Sequence, residues 1–405
     1  MSTALDLARW ACDLEPTTDD LELADRQLRD TVAVALVARD EDLLRRTAAL
    51  TEPARWALAA HLVDFDDLHL PSTTHISTVC VPVALATGGG ARAYLAGAGV
   101  MARLGTALGW SHYSAGWHAT TTAGALAAAV TAAVGLGLDA ETTATAIALA
   151  VPAAGGVHGA FGTDAKSIQV SFAVEAGIRA ARLAADGVEA NVDVVDEWLV
   201  LVGAERDHVD LSGPAVPGGL AIKLHPCCYA LQRPIGAAAA LRQQVGDLDD
   251  ITRIVVRTPK GTITPLIHSR PSTGLEAKFS LEYSVVAALV DDYCGFATFS
   301  DEGAQRERLR DLVQRVEVDA HAEGAQQLLA GQVDITVESA TGNLRSTLID
   351  PPGSPANPPT REQLEDKLIE CLAGTGIGIS DITWSASTAL LAAHLPTPTQ
   401  GAAAS

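Results

Sequence analysis

The chain has 405 residues, of which 48% are hydrophobic and 19% charged, enough for two cores and unlike a disordered chain. Twenty-eight Lys and Arg stand against 49 Asp and Glu, a formal net charge of −21. That balance excludes a nucleic-acid-binding face and attraction to an anionic membrane surface, while a few cations inside a cleft still suffice for a small anion. Aromatic residues make up only 4% and Gly numbers 35, so small side chains must build much of the core.

The N-terminal MSTALDLARW has no basic stretch leading into an apolar run, so no signal peptide is expected. Helical spacing predicts helices over 19–38 and 52–63, the latter ending at an acidic cluster, Asp64, Asp66 and Asp67. Further Ala-rich helices are predicted over 94–108 and 121–138, separated by the loop GWSHYSAGWHATTT, and over 140–151 and 167–186. The apolar stretch 121–138 reads as a buried helix and not as a membrane span. Near residue 220 the pattern changes. Residues 251–258, 316–320 and 333–338 alternate as strands, and 339–343 reads as a hairpin turn before 344–349. The Pro-rich stretch 351–359 reads as a linker, after which Thr360 and Gln363 form a capping box for a last helix.

The fold class expected is therefore mainly α with an α+β lid. A helical domain over 1–220 is completed by 359–405, and a smaller α+β domain covers 221–358, with a cleft between them. Six cysteines occur without CxxC or Cys/His metal spacing, which points to a reduced, cytoplasmic chain with no metal site.

Only five lysines occur, at 166, 223, 260, 278 and 367. Lys166 precedes an apolar helix and Lys223 sits in IKLHPCCY at the domain junction, so both are candidates for carboxylate binding. Each also reads as a solvated loop lysine. His118 lies in GWHATTTAGA, where a glycine, a histidine and three hydroxyls open a buried helix. A helix N-terminus binds anions, and a histidine there suits general acid–base work; a capping histidine is the equal alternative. Asp64, Asp66, Asp67, His69 and His75 form a dense titratable set. Their spacing matches no metal template, and a network that orients a histidine is the alternative. Cys228, after Cys227 and near His225 and Lys223, reads as a buried structural thiol or as the nucleophile of a cysteine hydrolase. The glycine pairs lack the strand–GxGxxG–helix context of a nucleotide site.

Taken together, DFDD (64–67), RLGTALG (103–109), GWHATTTAGA (116–125), GLGLDAETTATAIALA (135–150), GTDAKSIQV (162–170), IKLHPCCY (222–229) and KFSLEYSVVAALVDD (278–292) resemble the MmgE/PrpD family in order and content, over about residues 5–395. That family includes 2-methylcitrate dehydratase, cis-aconitate decarboxylase and iminodisuccinate epimerase. The resemblance implies a homodimeric enzyme that acts on a small di- or tricarboxylate without metal or organic cofactor. It places His118 and Lys166 on catalytic positions, with His75 beside a family loop histidine, offset by one residue. Asp64, Lys223, His225, Cys228 and Tyr283 fall on or near substrate-binding positions. Gln169 stands where a histidine is common, Cys228 where the decarboxylase has a histidine, His225 where an aromatic residue is common, and the region before Asp64 is shortened. Dehydration or decarboxylation is the leading expectation. Epimerisation of an amino-dicarboxylate adduct and a non-catalytic carboxylate binder are the alternatives.

Overall fold

The computed structural model describes residues 2–161, 163–206, 208–322 and 331–398. Backbone contacts divide the chain into two compact units, Met1–Ala221 with Glu365–Ser405, and Ile222–Leu364. The protein is mainly helical with one small sheet, as the sequence pattern predicts.

In the first unit, three long helices, Gly90–Ser114, Ala119–Gly135 and Ala165–Ala185, pack side by side around the Ala-rich middle one. Every residue from Ala119 to Val134 is buried. Small side chains make this possible. A Cβ on Gly97 would lie 1.7 Å from Thr131 Oγ1, and one on Gly177 would lie 2.6 Å from the Ala129 backbone nitrogen. Among the described residues no helix is long and apolar enough to cross a membrane.

The loop predicted between the Ala-rich stretches 94–108 and 121–138 is shorter than expected. The Gly90–Ser114 helix runs on through the WSHYS segment after a break at Gly109, whose φ of 73° and ψ of −172° only glycine adopts readily. Glu205 explains the restart. Its Oε1 accepts the Ser111 N–H at 2.7 Å, capping the renewed helix, and a Cβ on Gly109 would lie 2.3 Å from its carboxyl carbon. Only residues 115–118 remain outside helix, and Ala119 already begins the next one.

The second unit carries a four-stranded sheet in the order β2-β1-β3-β4, with β1 Ile251–Pro259, β2 Val316–His321, β3 Val333–Ser339 and β4 Gly342–Leu348. β1 pairs parallel with β2 and antiparallel with β3. The parallel pair requires a long crossover, supplied by helices that include Leu281–Val290. The expected hairpin forms between β3 and β4, and Val333, Ile335 and Val337 alternate into the core. The capping box forms too, Thr360 N–H donating to Gln363 Oε1 at 2.9 Å and Gln363 N–H to Thr360 Oγ1 at 3.2 Å. The Pro-rich stretch is not a loose linker. Pro351, Gly353 and Ser354 are buried, and the Ile222 N–H donates to the Gly353 carbonyl at 2.9 Å.

The helix packing makes a direct prediction. Alanine at 177 adds about 0.5–1 kcal/mol of helix propensity, whereas overpacking against fixed backbone costs about 1–3 kcal/mol. Gly177→Ala is therefore expected to lower the denaturant midpoint of the first unit; an unchanged or higher midpoint contradicts this packing.

Candidate functional site

The first unit brings together Asp64, His75, His118 and Lys166. The Glu52–Leu62 helix ends two residues before Asp64, and the chain there turns sharply. Asp64 has φ of 59°, one of two non-glycine residues with positive φ among those described. Such a conformation costs about 1–3 kcal/mol and concentrates at functional sites. Its Oδ1 lies 3.1 Å from Lys166 Nζ, both side chains being largely buried. Gly162, at the head of the lysine segment, lies outside the described residues.

Asp66 is the centre of the cluster. Its carboxylate is almost fully buried, and Oδ2 lies 2.6 Å from His61 Nδ1 and 3.2 Å from His75 Nδ1. His75 Nδ1 also donates to the Asp67 carbonyl at 2.6 Å. Burial alone would raise the Asp66 pKa, but the two imidazoles outweigh it and hold the carboxyl well below its usual range. His61 is pushed down to about 4, chiefly by burial, so it is neutral near pH 7. His61, Asp66 and His75 offer ligand atoms within 4.8 Å of one another, a spacing that a cation also asks for. In this cluster both nitrogens meet one carboxylate oxygen at hydrogen-bonding distance, the geometry of a hydrogen-bonded triad.

The remaining acidic residues serve as structure. Asp67 accepts the Ser77 N–H at 3.1 Å and the Ser77 hydroxyl, and burial pushes its pKa up to about 7. His69 is spent on Ser72 Oγ at 2.6 Å and the Pro217 carbonyl at 2.7 Å.

His118 occupies the N-cap position of the Ala119–Gly135 helix, but its side chain makes no capping bond. The ring is buried, and Nδ1 has no hydrogen-bond partner among the described residues. Its centroid lies 6.1 Å from that of His61 in a stacked arrangement and 5.0 Å from that of Phe161, edge-on. Burial first, then His61, Lys166 and other nearby histidines, hold its pKa well below the usual value. Lys166 thus contributes only after burial and His61.

The three hydroxyls after His118 are ties. Thr120 Oγ1 accepts the His75 N–H at 3.1 Å. Thr121 Oγ1 donates to the Gly155 carbonyl at 2.6 Å, and Thr122 Oγ1 lies 2.9 Å from His112 Nε2. Gln169 holds the opposite loop, its Oε1 accepting the Val157 N–H at 2.6 Å and its Nε2 donating to the Val157 carbonyl at 3.3 Å. An amide does both at once, which a neutral imidazole ring cannot do on the backbone of one residue.

The sequence reading missed two residues. His61 sat inside a helical run and drew no notice, although a histidine five residues before an aspartate at a helix end was a usable signal. Lys367 is fully buried, 2.6 Å from Asp30 and 2.9 Å from the Phe65 carbonyl, and so ties the Arg361–Leu372 helix to the loop that carries Asp64 and Asp66.

The other sequence candidates lie in the second unit. Lys223 is buried. Gln232 clamps the neighbouring chain, accepting the Leu224 and His225 N–H groups at 3.0 and 3.2 Å. His225 turns Nδ1 to the Cys294 carbonyl at 3.2 Å, and burial brings its pKa to about 4. The Cys228 N–H donates to the Lys278 carbonyl at 3.1 Å. Tyr283 is buried in this unit's core, and its hydroxyl donates to the Thr298 carbonyl at 2.6 Å.

The helical body thus gathers an acidic turn, buried histidines and an ion-paired lysine into one cluster. Family models match this chain. The MmgE/PrpD N-terminal domain matches residues 54–201 and the C-terminal domain residues 225–377, and the chain belongs to the MmgE/PrpD family. That family is generally enzymatic, of dehydratase or lyase type. The first match contains His61, Asp64, Asp66, His75, His118 and Lys166. Comparison with curated proteins gives no match.

The buried histidines fix the acid response. Among the described residues, six histidines have lowered pKa values, against three carboxyls with raised ones. Between about pH 4 and the unfolded histidine value of about 6.5, the unfolded chain binds more protons at these histidines. The raised carboxyls act oppositely but are fewer. Stability to denaturant is expected to fall as pH drops from 7 toward 4.5; a flat or rising profile contradicts neutral buried histidines.

Proposed function

We propose that the protein is a lyase acting on a small di- or tricarboxylate by proton transfer at a carbon beside a carboxylate. A 2-methylcitrate-like hydroxy acid undergoing dehydration, or a cis-aconitate-like acid undergoing decarboxylation, fits this chemistry. The observation that carries the reading is His118, buried and neutral with a bare Nδ1, in one cluster with the Asp64–Lys166 ion pair and His75.

A proton beside a carboxylate is weakly acidic, and its removal leaves enolate-like charge that the site must stabilise. Lys166 is the cation for that role. Its partner Asp64 holds it in place, and a substrate carboxylate competes with Asp64 for the ammonium. In a dry site such a pairing is far stronger than in water. A neutral imidazole accepts the proton at neutral pH, and His118 is kept neutral by burial. The reading rests on the first unit's residues alone and asks for no cofactor.

One observation favours epimerisation as a second reading. The site holds two separate imidazoles, His75 and His118, which suit proton removal on one face of a carbon and return on the other.

The test is proton NMR in deuterated water with citrate, 2-methylcitrate, cis-aconitate and related acids. Loss of water or of carbon dioxide supports the lyase reading, while deuterium entry without net loss supports epimerisation. Turnover of none of these acids removes both. With the active acid, His118→Ala is expected to lower kcat about 10²–10⁴-fold with the fold intact, and Lys166→Met to raise KM as well. Full activity in His118→Ala removes His118 from the mechanism.

A further inference from the structure

We infer that His61 is a positioning residue: through the shared Asp66 carboxylate it keeps His75 in the Nδ1–H tautomer, so that His75 Nε2 presents its lone pair as a second proton acceptor beside His118. The inference takes its catalytic meaning from the proposed proton transfer, but its basis is geometric.

His75 Nδ1 lies 2.6 Å from the Asp67 carbonyl, a group that only accepts, and 3.2 Å from Asp66 Oδ2. Both neighbours demand a hydrogen on Nδ1. A neutral imidazole carries one ring N–H, so Nε2 is bare. His61 meets the same Oδ2 at 2.6 Å through its own Nδ1, the shorter and better of the carboxylate's two imidazole bonds. Its Nε2 is buried and has no partner among the described residues. The ring's one polar contact there is therefore with Asp66.

The energetic consequence follows from burial. A carboxylate taken out of water survives as an anion only while donors and cations compensate it. The groups that face Asp66 come from several elements. His61 is on the Glu52–Leu62 helix, His75 precedes the Ser77–Thr87 helix, and Asp67 neighbours it in sequence. Asp30, itself paired with Lys367, adds like charge. Lys166 and His118 lie on the far side, acting on and stacked against His61. Without the His61 N–H, the carboxylate keeps the longer His75 bond and the repulsion of two neighbouring acids, and it takes up a proton. A protonated Asp66 no longer requires the His75 hydrogen on Nδ1, which the Asp67 carbonyl alone then holds.

The experiment is long-range ¹H–¹⁵N correlation NMR on ¹⁵N-histidine-labelled full-length protein across pH 5–8, roughly the range over which imidazoles titrate, with the His75 signals assigned by their loss in His75→Gln. It compares wild type with His61→Asn, whose amide nitrogen sits where Nδ1 was and still donates, and with His61→Gln and His61→Leu, which lack a donor at that point. The wild type is expected to show His75 as Nδ1–H with Nε2 bare. His61→Asn is expected to retain that pattern. His61→Gln and His61→Leu are expected to mix the tautomers, an Nε2–H population of His75 appearing beside the Nδ1–H form. An Nε2–H tautomer of His75 in the wild type overturns the inference without any variant. So does an unchanged His75 pattern in folded His61→Gln, or His61→Asn behaving like His61→Gln. None of these signals needs turnover. A tautomer change as expected, with no carboxylic acid turned over, upholds the inference and removes the lyase reading instead.

Discussion

A single buried carboxylate, that of Asp66, is the constraint on which the site depends. Ionised in a dry interior, it is costly until it is compensated. His61 and His75 do this through Nδ1, and in doing so both rings are oriented. The arrangement resembles the logic of an aspartate that holds a catalytic imidazole in one tautomer, except that one carboxylate serves two rings. The loop bearing Asp66 is in turn held by Lys367 through the Phe65 carbonyl. Lys367 is itself neutralised by Asp30, and removing one partner of such a buried pair costs about 3–5 kcal/mol. The chain's last part and its first hundred residues are thus bound to one another beneath the site.

The small-residue core gives these contacts their rigidity. Glycine and alanine let three long helices approach until a single added methyl would strike backbone. Helices this close have little room to shift, and the threonines that open the central helix then act at fixed positions. Thr120 holds the His75 backbone, Thr121 holds Gly155, and Thr122 meets His112. The result is a site with a low local dielectric, where neutral histidines persist at pH 7 and a lysine's charge is felt strongly.

Membership in the MmgE/PrpD family accounts for the general plan, and within it two polar side chains set local features. Gln169 ties the N–H and the carbonyl of Val157 and so shapes the loop that runs to Phe161, whose ring meets His118 edge-on. His225 packs on an aromatic ring, its centroid 5.5 Å from that of Tyr293.

Much was legible in the sequence because it was local. Helical periodicity, the alternation of Val333, Ile335 and Val337, and the Thr360–Gln363 capping box each depend on residues within a few positions of one another. The ordered motifs likewise marked Asp64, His75, His118 and Lys166 as candidates. What the sequence by itself could not decide was which polar atoms would be spent on structure. His69 and Asp67 looked as chemical as His75 and Asp66, yet the first two close turns and cap a helix, because Pro217 and Ser77 meet them only in the folded chain. His61 looked like one more residue of a helical run, and Lys367 was only one of five lysines, until long-range packing removed both from water. Local pattern sets helices, strands and motifs, since these are properties of short stretches of backbone. Tertiary structure alone decides burial, partner and protonation state, since these depend on groups tens to hundreds of residues apart.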